Sequence, residues 1–390
     1  MKNPIYLDYA ATTPVLEPVF EAMRACLMMD GHFANPTALT HSLGLSAADV
    51  VERARFEVSS LVGCDPSEII FTSGATESDN LAIKGAAYAL RQKGQHLITM
   101  ATEHKAVLET CYQLEQEGFR VTYLKPLENG LITLEMLEHA LCDDTVLVSI
   151  MHVNNELGVI QDIAAIGQCL RARKICFHVD AAQSAGKLPI CLKDLNVDFM
   201  SFSAHKVYGP KGVGALYVRG DIDFALVPIT YGGGQEKGLR SGTLATHQIA
   251  GMGKAFALAR DHFSKNNQHT QAISNRFIQG VQSIPDAVIH ADRTHCIPNI
   301  VNFRIEGVNS SKMLAALPEI ALSVGSACNS KSHLGSHALK AIGLSSREMH
   351  SAFRASFGCF NTLEEIDFVI ERLKKGAQVM LKKQIRGQEK

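Results

Sequence analysis

The sequence has neither an excess of charge of one sign nor a long apolar run. Its 390 residues include 38 Lys and Arg against 39 Asp and Glu, which gives a formal net charge of −1. This balance argues against a protein that coats nucleic acid and against a polybasic membrane binder. No apolar run reaches the roughly 18 residues that a membrane span needs, and the first residues lack the apolar core of a secretory signal. We therefore expect a cytoplasmic protein that contacts neither nucleic acid nor membrane directly.

Closely spaced cysteine pairs and nucleotide-binding glycine motifs are also absent. The ten cysteines include no CxxC pair, so neither a zinc knuckle nor a thioredoxin-type site is indicated. Neither GxGxxG nor GxxxxGK[ST] occurs, which argues against an enzyme that uses a dinucleotide or a nucleoside triphosphate. Apolar segments surround most of the cysteines, for example Cys26, Cys176 and Cys191. We expect these thiols to be unpaired and buried.

Short apolar runs alternate with helical stretches over the first half of the chain. This pattern predicts strands at 68–72, 96–99, 121–124, 146–150, 175–179, 199–202 and 214–218, and helices at 76–90, 105–117 and 133–141. Such alternation is typical of an α/β unit with a largely parallel sheet. Further along, a long helical segment is predicted at 246–283 and strands at 299–304 and 320–324. We expect a large domain at 15–260 and a smaller α+β domain formed by 1–14 together with 261–390.

Residues that can carry chemistry follow several of these strands. A tight turn at Gly74 leads into a helix that Thr76 can cap, and a helix start of this kind suits a phosphate group. Asp180 follows one buried strand, and Lys206 follows the next. Parallel α/β sheets bind ligands at the carboxyl ends of their strands, so these groups should converge. Pyridoxal phosphate needs donors for its phosphate, an acid for its ring nitrogen and a lysine for a Schiff base, and all three are present.

Seven motifs resemble those of the cysteine desulfurases of the NifS/IscS group, and most closely those of its housekeeping branch. They occur in the same order and in register, and the similarity extends from residue 1 to about residue 375. The motifs are LDYAATTP at 7–14, TSGATESDN at 72–80, HVNNE at 152–156, HVDAAQS at 178–184, SAHK at 203–206, RSGT at 240–243 and GSAC at 325–328. The resemblance implies an α/β homodimer of the pyridoxal-phosphate-dependent transferase fold type I, with a mainly parallel seven-stranded sheet and a smaller α+β domain.

The same resemblance implies a role for each matching residue. Lys206 would form the Schiff base, and His104 would stack on the ring and move protons. Asp180 would bind the ring nitrogen, and Gln183 the phenolic oxygen. The remaining assignments are Ala75, Thr76, Ser203 and His205 for the phosphate, Thr243 for the phosphate in the other subunit, and Asn155 and Arg354 for the substrate carboxylate, a task that suits the two-pronged guanidinium.

Cys328 differs from the other cysteines in its surroundings. It lies in a small, polar, glycine-flanked stretch at 324–336, which predicts an exposed and mobile loop. The resemblance implies that L-cysteine is converted to L-alanine while the Cys328 thiolate takes the sulphur as a persulfide. The persulfide would then serve iron–sulphur cluster assembly or the thiolation of tRNA or cofactors. The resemblance also allows Cys328 to ligate a transient [2Fe-2S] cluster shared with a scaffold partner.

Several positions depart from the pattern of this branch. Ala182 stands where threonine is usual, Ala204 where glycine is usual, and Cys359 where arginine is common. Leu39 replaces a polar or basic residue on a surface associated with partner docking. The chain ends sooner than the housekeeping enzymes, whose C-terminal extension meets the cluster scaffold. Seven Lys and Arg residues in 372–390 predict either a solvated helix face or a docking surface for an acidic partner.

Two alternative functions remain at the level of the sequence. The first is another enzyme on the same fold, either a selenocysteine lyase or a class V enzyme that forms no persulfide. The second is a cofactor-binding subunit without activity. Cys328 argues against an aminotransferase, which needs no loop cysteine. Lys206, Asp180 and His104 are also present, and their presence argues against an inactive subunit.

Overall fold

A computed structural model describes residues 4–324 and 335–388 of the chain. Cys328 therefore lies outside the described residues. The helices are α1 (Glu17–Arg24), α2 (Ser42–Val62), α3 (Ala75–Leu90), α4 (Lys105–Gln116), α5 (Leu134–Ala140), α6 (Ile163–Ala172), α7 (Thr246–Asp261), α8 (Phe263–Gln282), α9 (Ser310–Ala315), α10 (His337–Ala341), α11 (Ser346–His350) and α12 (Leu363–Gln388). Among these residues, the structure contains no helix with the length and apolarity to cross a membrane.

The largest sheet has seven strands and confirms the predicted α/β class. In chain order its strands are β2 (Ile69–Thr72), β3 (His96–Met100), β4 (Arg120–Leu124), β5 (Thr145–Ser149), β6 (Cys176–Asp180), β7 (Phe199–Ser203) and β8 (Gly214–Val218). Their spatial order is β2-β8-β7-β6-β5-β3-β4. Neighbours from β4 through β7 pair in parallel, and only β8 runs antiparallel to the two strands beside it. Central strands such as β5, β6 and β7 are buried along their whole length, as their continuous apolar runs predict.

Two smaller sheets lie outside this one. The first is antiparallel, with the order β12-β13-β10-β9, and the second pairs β1 in parallel with β11. Their strands are β1 (Ile5–Tyr6), β9 (Ala287–Ile289), β10 (Ile300–Ile305), β11 (Ile320–Ala321), β12 (Ser323–Val324) and β13 (Ala352–Ser356). A separate apolar core joins Leu7 to side chains of α8, β10, β13 and α12. The domain boundaries at 15–260 and at 1–14 with 261–390 stay predictions.

Three local expectations are wrong. The helical segment at 246–283 is two helices, because the chain breaks at His262 between α7 and α8. The strand at 320–324 is split at Leu322, and its halves join different sheets. Cys191 is exposed, since Ile190 and Leu192 on either side of it turn into the core. Cys142 is exposed as well, in the turn between α5 and β5.

Candidate active site

The carboxyl ends of the parallel strands meet at one edge of the seven-stranded sheet. Asp180 ends β6, which pairs in parallel with β7. Strand β2 runs in the same direction as β7, because both pair antiparallel with β8. Gly214, the first residue of β8, lies opposite both Thr72 of β2 and Ser203 of β7. A Cβ at Gly214 would lie 2.6 Å from the Cα of Gly74, so this close approach of the two loops requires glycine.

A helix N-terminus without a side-chain cap lies at this edge. Gly74 occupies the N-cap position of α3 with φ 154°, a conformation that suits glycine, and it offers no side-chain acceptor. The expectation that Thr76 caps this helix is wrong, because Thr76 is the second residue of α3 and is exposed. The N–H groups of the first turn, including that of Ala75, have no acceptor within the helix. Their dipoles make this helix start a place where an anion is stabilised.

Three buried carboxyl groups surround the end of β6. Burial raises the pKa of Asp180, and the neighbouring carboxyl of Asp79 raises it further. Burial also raises the pKa of Asp79 to about 7 and holds the pKa of Glu103 well above its usual value. Oδ1 of Asp180 accepts a hydrogen bond of 2.9 Å from the backbone N–H of Ala182. This bond comes from the main chain, so the alanine that replaces threonine at 182 preserves it.

His104 precedes α4 and is held in one tautomer. Its Nδ1 accepts a hydrogen bond of 3.2 Å from the backbone N–H of Ala106, so the ring proton lies on Nε2. Burial lowers the pKa of His104; the Asp180 carboxyl raises it, and Lys206 and His337 lower it. The side chain of His104 therefore interacts electrostatically with both Asp180 and Lys206. In the neutral form its Nε2–H is a hydrogen-bond donor.

Lys206 lies at the end of a short 3-10 turn (Ala204–Lys206) directly after β7. It lines a cavity of about 360 Å³ together with Lys187 and Tyr208. In the same turn, Nδ1 of His205 is 3.1 Å from Oγ1 of Thr12. Burial and the positive charge of Lys206 lower the pKa of His205 to about 4, so this imidazole is neutral near pH 7.

Arg354 lies on β13 and points toward the loop after β5. Its Nη1 donates to the carbonyl oxygen of Asn155 at 3.0 Å, and its Nη2 lies 2.6 Å from Oδ1 of Asp8. Its Nε is buried and has no hydrogen-bond partner. A guanidinium with an unused buried donor suits a carboxylate that arrives with a ligand. The predicted pair Asn155 and Arg354 is thus brought together, with Asp8 as a third member.

Gln183 is buried and hydrogen-bonded, whereas Thr243 is exposed on a loop. Nε2 of Gln183 donates to the carbonyl oxygen of Ala10 at 2.8 Å, and its Oε1 accepts from Lys187 at 2.9 Å. Thr243 is exposed and follows Arg240, whose Nε lies 2.9 Å from Oε1 of Glu77 in α3. This ion pair ties the loop of Thr243 to the uncapped helix. Thr243 stays a prediction for the site of a second subunit.

Cys328 lies outside the described residues, and the described residues on both sides of its segment are anchored beside the site. On one side, Ser323 of β12 pairs with Arg354. On the other side, the hydroxyl of Ser336 donates to Oε2 of Glu156 at 2.5 Å, and Nε2 of His337 lies 2.8 Å from the carbonyl oxygen of Glu103. In the described part of the chain, no group of three or more His, Cys, Asp and Glu side chains could hold a metal ion.

The structure brings in residues that the sequence analysis missed. Asp8 contacts Arg354, Lys187 contacts Gln183, and Asp79 lies near Asp180. Asp8 and Asp79 lie within quoted motifs, so their positions there were the available signal. Lys187 follows the 178–184 motif by three residues, and nothing in its local sequence indicates that its side chain turns inward.

The structure also shows the surroundings of the other three positions that depart from the family pattern, which are 204, 359 and 39. Ala204 is buried, and its Cβ packs against Gly209. Cys359 donates its backbone N–H to the hydroxyl of Tyr208 at 2.7 Å, a bond that does not depend on its side chain. Leu39 is 60% exposed and contributes no core packing.

Comparisons with known proteins give a consistent result. The family described as aminotransferase class V matches residues 5–369. Cysteine desulfurase IscS of Pseudoalteromonas translucida (strain TAC 125) is 55% identical over 375 residues, which cover 96% of this chain and 93% of that protein. Among solved structures, a NifS-like protein has a TM-score of 0.88 at 35% identity, covering 95% of this chain and 98% of its own. A structure described as SspA in complex with cysteine has a TM-score of 0.82 at 42% identity, covering 92% and 99%.

Proposed function

Because this chain belongs to the class V aminotransferase family and is a cysteine desulfurase, we propose that it binds pyridoxal phosphate at Lys206 and that Cys328 receives the sulphur of L-cysteine as a persulfide. Family membership implies this cofactor, and the structural neighbours confirm the predicted fold type I. One observation carries the residue assignment: a buried carboxyl, a helix N-terminus and a lysine converge at one sheet edge.

The described donor set fits the cofactor. The uncapped start of α3 offers N–H groups for a phosphate, and the carboxyl of Asp180 can bind a protonated ring nitrogen. A cation beside Asp180 would also offset the burial and the like charge that raise the pKa of its carboxyl. When bound, pyridoxal phosphate supplies an electron sink for the electron pair left at the substrate α-carbon.

The remaining residues take the roles that the resemblance implies. We assign the phosphate to the backbone N–H of Ala75 and to the side chains of Thr76, Ser203 and His205, and to Thr243 of the second subunit in a homodimer. We assign the face of the ring to His104 and the phenolic oxygen to Gln183. The neutral imidazole of His205 can donate one hydrogen bond to a phosphate oxygen.

Proton transfer falls to Lys206 and His104. The amine of Lys206, once displaced by the substrate amine, takes the proton from the substrate α-carbon and returns it later. His104 carries its ring proton on Nε2, because Nδ1 is occupied by the backbone of Ala106. To take the proton of the Cys328 thiol, His104 needs a free ring nitrogen, so Nδ1 would first release the N–H of Ala106. The imidazole then becomes an imidazolium that can return this proton to the substrate skeleton, and the thiol becomes a thiolate.

The transfer of the substrate sulphur needs a single protein thiol, that of Cys328. The Cys328 thiolate bonds to the substrate Sγ, the Cβ–Sγ bond breaks, and its electron pair stays with the carbon skeleton. Protonation of that skeleton gives L-alanine. Two thiols of a dithiol such as dithiothreitol release the persulfide sulphur as sulphide, regenerate the Cys328 thiol and form a cyclic disulfide.

For the delivery of the sulphur, we propose a class of acceptor and no individual protein. We propose a cytoplasmic homodimer that passes its sulphur to acceptor proteins, such as a scaffold for iron–sulphur cluster assembly. Cys328 could then share a transient [2Fe-2S] cluster with that scaffold. Copurification with a scaffold protein, and its loss in a Cys328→Ser variant, would test this assignment.

The proposed reaction predicts equal amounts of alanine and sulphide. Purified protein supplied with pyridoxal phosphate, L-cysteine and dithiothreitol should form both products at the same rate, because each Cβ–Sγ cleavage yields one of each. Amino-acid analysis and a sulphide assay on the same samples give the ratio. Alanine without sulphide, or turnover of L-selenocysteine alone, would contradict the persulfide route.

Arg354→Lys should raise the KM for L-cysteine by about ten- to a hundred-fold with a smaller change in kcat. Lysine cannot form the two-pronged contact, and the loss of one charge-assisted hydrogen bond costs about 1.5–3 kcal/mol. Steady-state kinetics measure the change. The matched control is Arg304→Lys on the neighbouring strand β10, whose guanidinium contacts His290 and Glu348 instead of the site. An equal rise in KM in both variants would count against the assignment of Arg354.

A further inference from the structure

Lys187 is a half-buried lysine that the mechanism above does not use. It follows β6 by seven positions and lines the same cavity as Lys206. Its Nζ lies 2.9 Å from Oε1 of Gln183, the residue assigned to the phenolic oxygen of the cofactor. Partial desolvation of a lysine is costly, so a half-buried lysine is usually placed against a polar partner. Its contact with Gln183 is therefore a specific feature of the site.

The two partners of Gln183 fix the orientation of its amide. The carbonyl oxygen of Ala10 can only accept a hydrogen bond, so the atom 2.8 Å from it must be the amide nitrogen Nε2. A lysine donates in either protonation state, so the atom next to Lys187 must be Oε1. Nε2 has a second N–H that neither contact uses. Gln183 can thus offer that N–H as a donor while its own acceptor is occupied.

The charges around Lys187 favour an anion at this place. Burial, together with the positive charges of Lys206 and Arg354, lowers the pKa of Lys187 to about 7. His205 also lies close enough for Lys187 to lower its pKa. Two acids face this group: Asp8 is paired with Arg354, and Asp180 interacts with Lys206. A phenolate oxygen bound here would be attracted to several donors and cations.

We infer that Lys187 is a positioning residue that holds the amide of Gln183 so that its free N–H faces the phenolic oxygen of bound pyridoxal phosphate. This inference rests on the proposed function. Without Lys187 only the contact with Ala10 opposes rotation of the amide. A rotation that breaks this contact turns Oε1 toward the phenolic oxygen. The lone pairs of Oε1 and of the phenolic oxygen would then repel each other, and the hydrogen bond would be lost.

The test is a Lys187→Met variant, which keeps the length of the side chain and removes its donor. We expect its dissociation constant for pyridoxal phosphate to rise about tenfold, as the loss of one hydrogen bond to a charged group requires. The pH at which the visible band of the bound cofactor titrates should rise by about one unit, because donors and cations favour the deprotonated phenolic oxygen. Absorbance titrations measure both quantities.

Three further variants separate positioning from packing. Lys187→Arg retains a donor for Oε1 and should restore the wild-type titration. Gln183→Glu removes the N–H donor and should shift the titration as Lys187→Met does. Lys193→Met, the same substitution at an exposed lysine, should change neither quantity.

Two results would overturn the inference alone. One is wild-type affinity and titration in Lys187→Met. The other is weaker binding with an unshifted titration, which would show that Lys187 only packs. Failure of the wild-type protein to bind pyridoxal phosphate at all would overturn the proposed function and this inference with it.

Discussion

Lys206→Ala should abolish the visible absorbance change that pyridoxal phosphate gives on binding and should lower the rate of alanine formation by about 10³-fold. The substitution removes the amine to which the cofactor is linked and the base that takes the α-proton. Loss of a positioned general base alone costs about 10²–10⁴-fold. The visible spectrum reports the link, and alanine production from L-cysteine reports the proton transfer.

A control and a second measurement make this result specific. Lys193→Ala removes an exposed lysine and should retain both the spectrum and the rate. Thermal unfolding should show that Lys206→Ala still folds, since Lys206 ends a short turn rather than filling the apolar core. A Lys206→Ala protein that keeps the visible band, or that forms alanine within tenfold of the wild-type rate, would refute the assignment of Lys206.

The main sheet could be predicted from the sequence because its signal is local. Parallel strands such as β5 and β6 are buried along their length, and the helix between them, α6, begins directly after the capping residue Asp162. The split of 320–324 could not be predicted in this way. Ile320 pairs with Ile5, whereas Ser323 pairs with Arg354, and both partners are distant in the sequence. Pairing with distant strands, rather than local propensity, decides such short segments.

In the candidate site, too, some features have a local sequence signal and others depend on contacts between distant residues. Asp180 and Ser203 end the neighbouring strands β6 and β7, and Lys206 follows β7, so the topology of a parallel sheet brings them together. The contacts of Lys187 and Asp8 depend on where two loops turn after leaving the sheet, and no periodic pattern encodes that direction. The mutual influence of Asp79 and Asp180 depends on burial in three dimensions, which also has no sequence signature.

Cys328→Ser should retain the visible spectrum of the bound cofactor and lose about a hundredfold or more of sulphide release with dithiothreitol. A serine hydroxyl is a far weaker nucleophile toward sulphur than a thiolate, so the Cβ–Sγ bond of the substrate would have no acceptor for its sulphur. Alanine formation should fall to the same extent, because both products come from that one cleavage.

The anchored flanks of the segment support this choice of cysteine. Cys328 follows Val324 of β12 by four positions and precedes Ser336 by eight. Ser323 pairs with Arg354, and His337 contacts the backbone of Glu103 next to His104. Both ends of the segment are therefore fixed beside the residues assigned to the substrate carboxylate and to proton transfer.

Two other thiols provide the decisive comparison. Cys142 and Cys191 are exposed, so they are as accessible to solvent and reagents as a loop thiol would be. Replacing either with serine should leave sulphide release and alanine formation unchanged, because neither lies at the edge of the sheet where the site residues converge. Labelled sulphur from L-cysteine should appear as a persulfide on the peptide that contains Cys328 and be absent from that peptide in Cys328→Ser. Label that persists at Cys142 or Cys191 with full activity in Cys328→Ser would assign the sulphur transfer to one of those thiols instead.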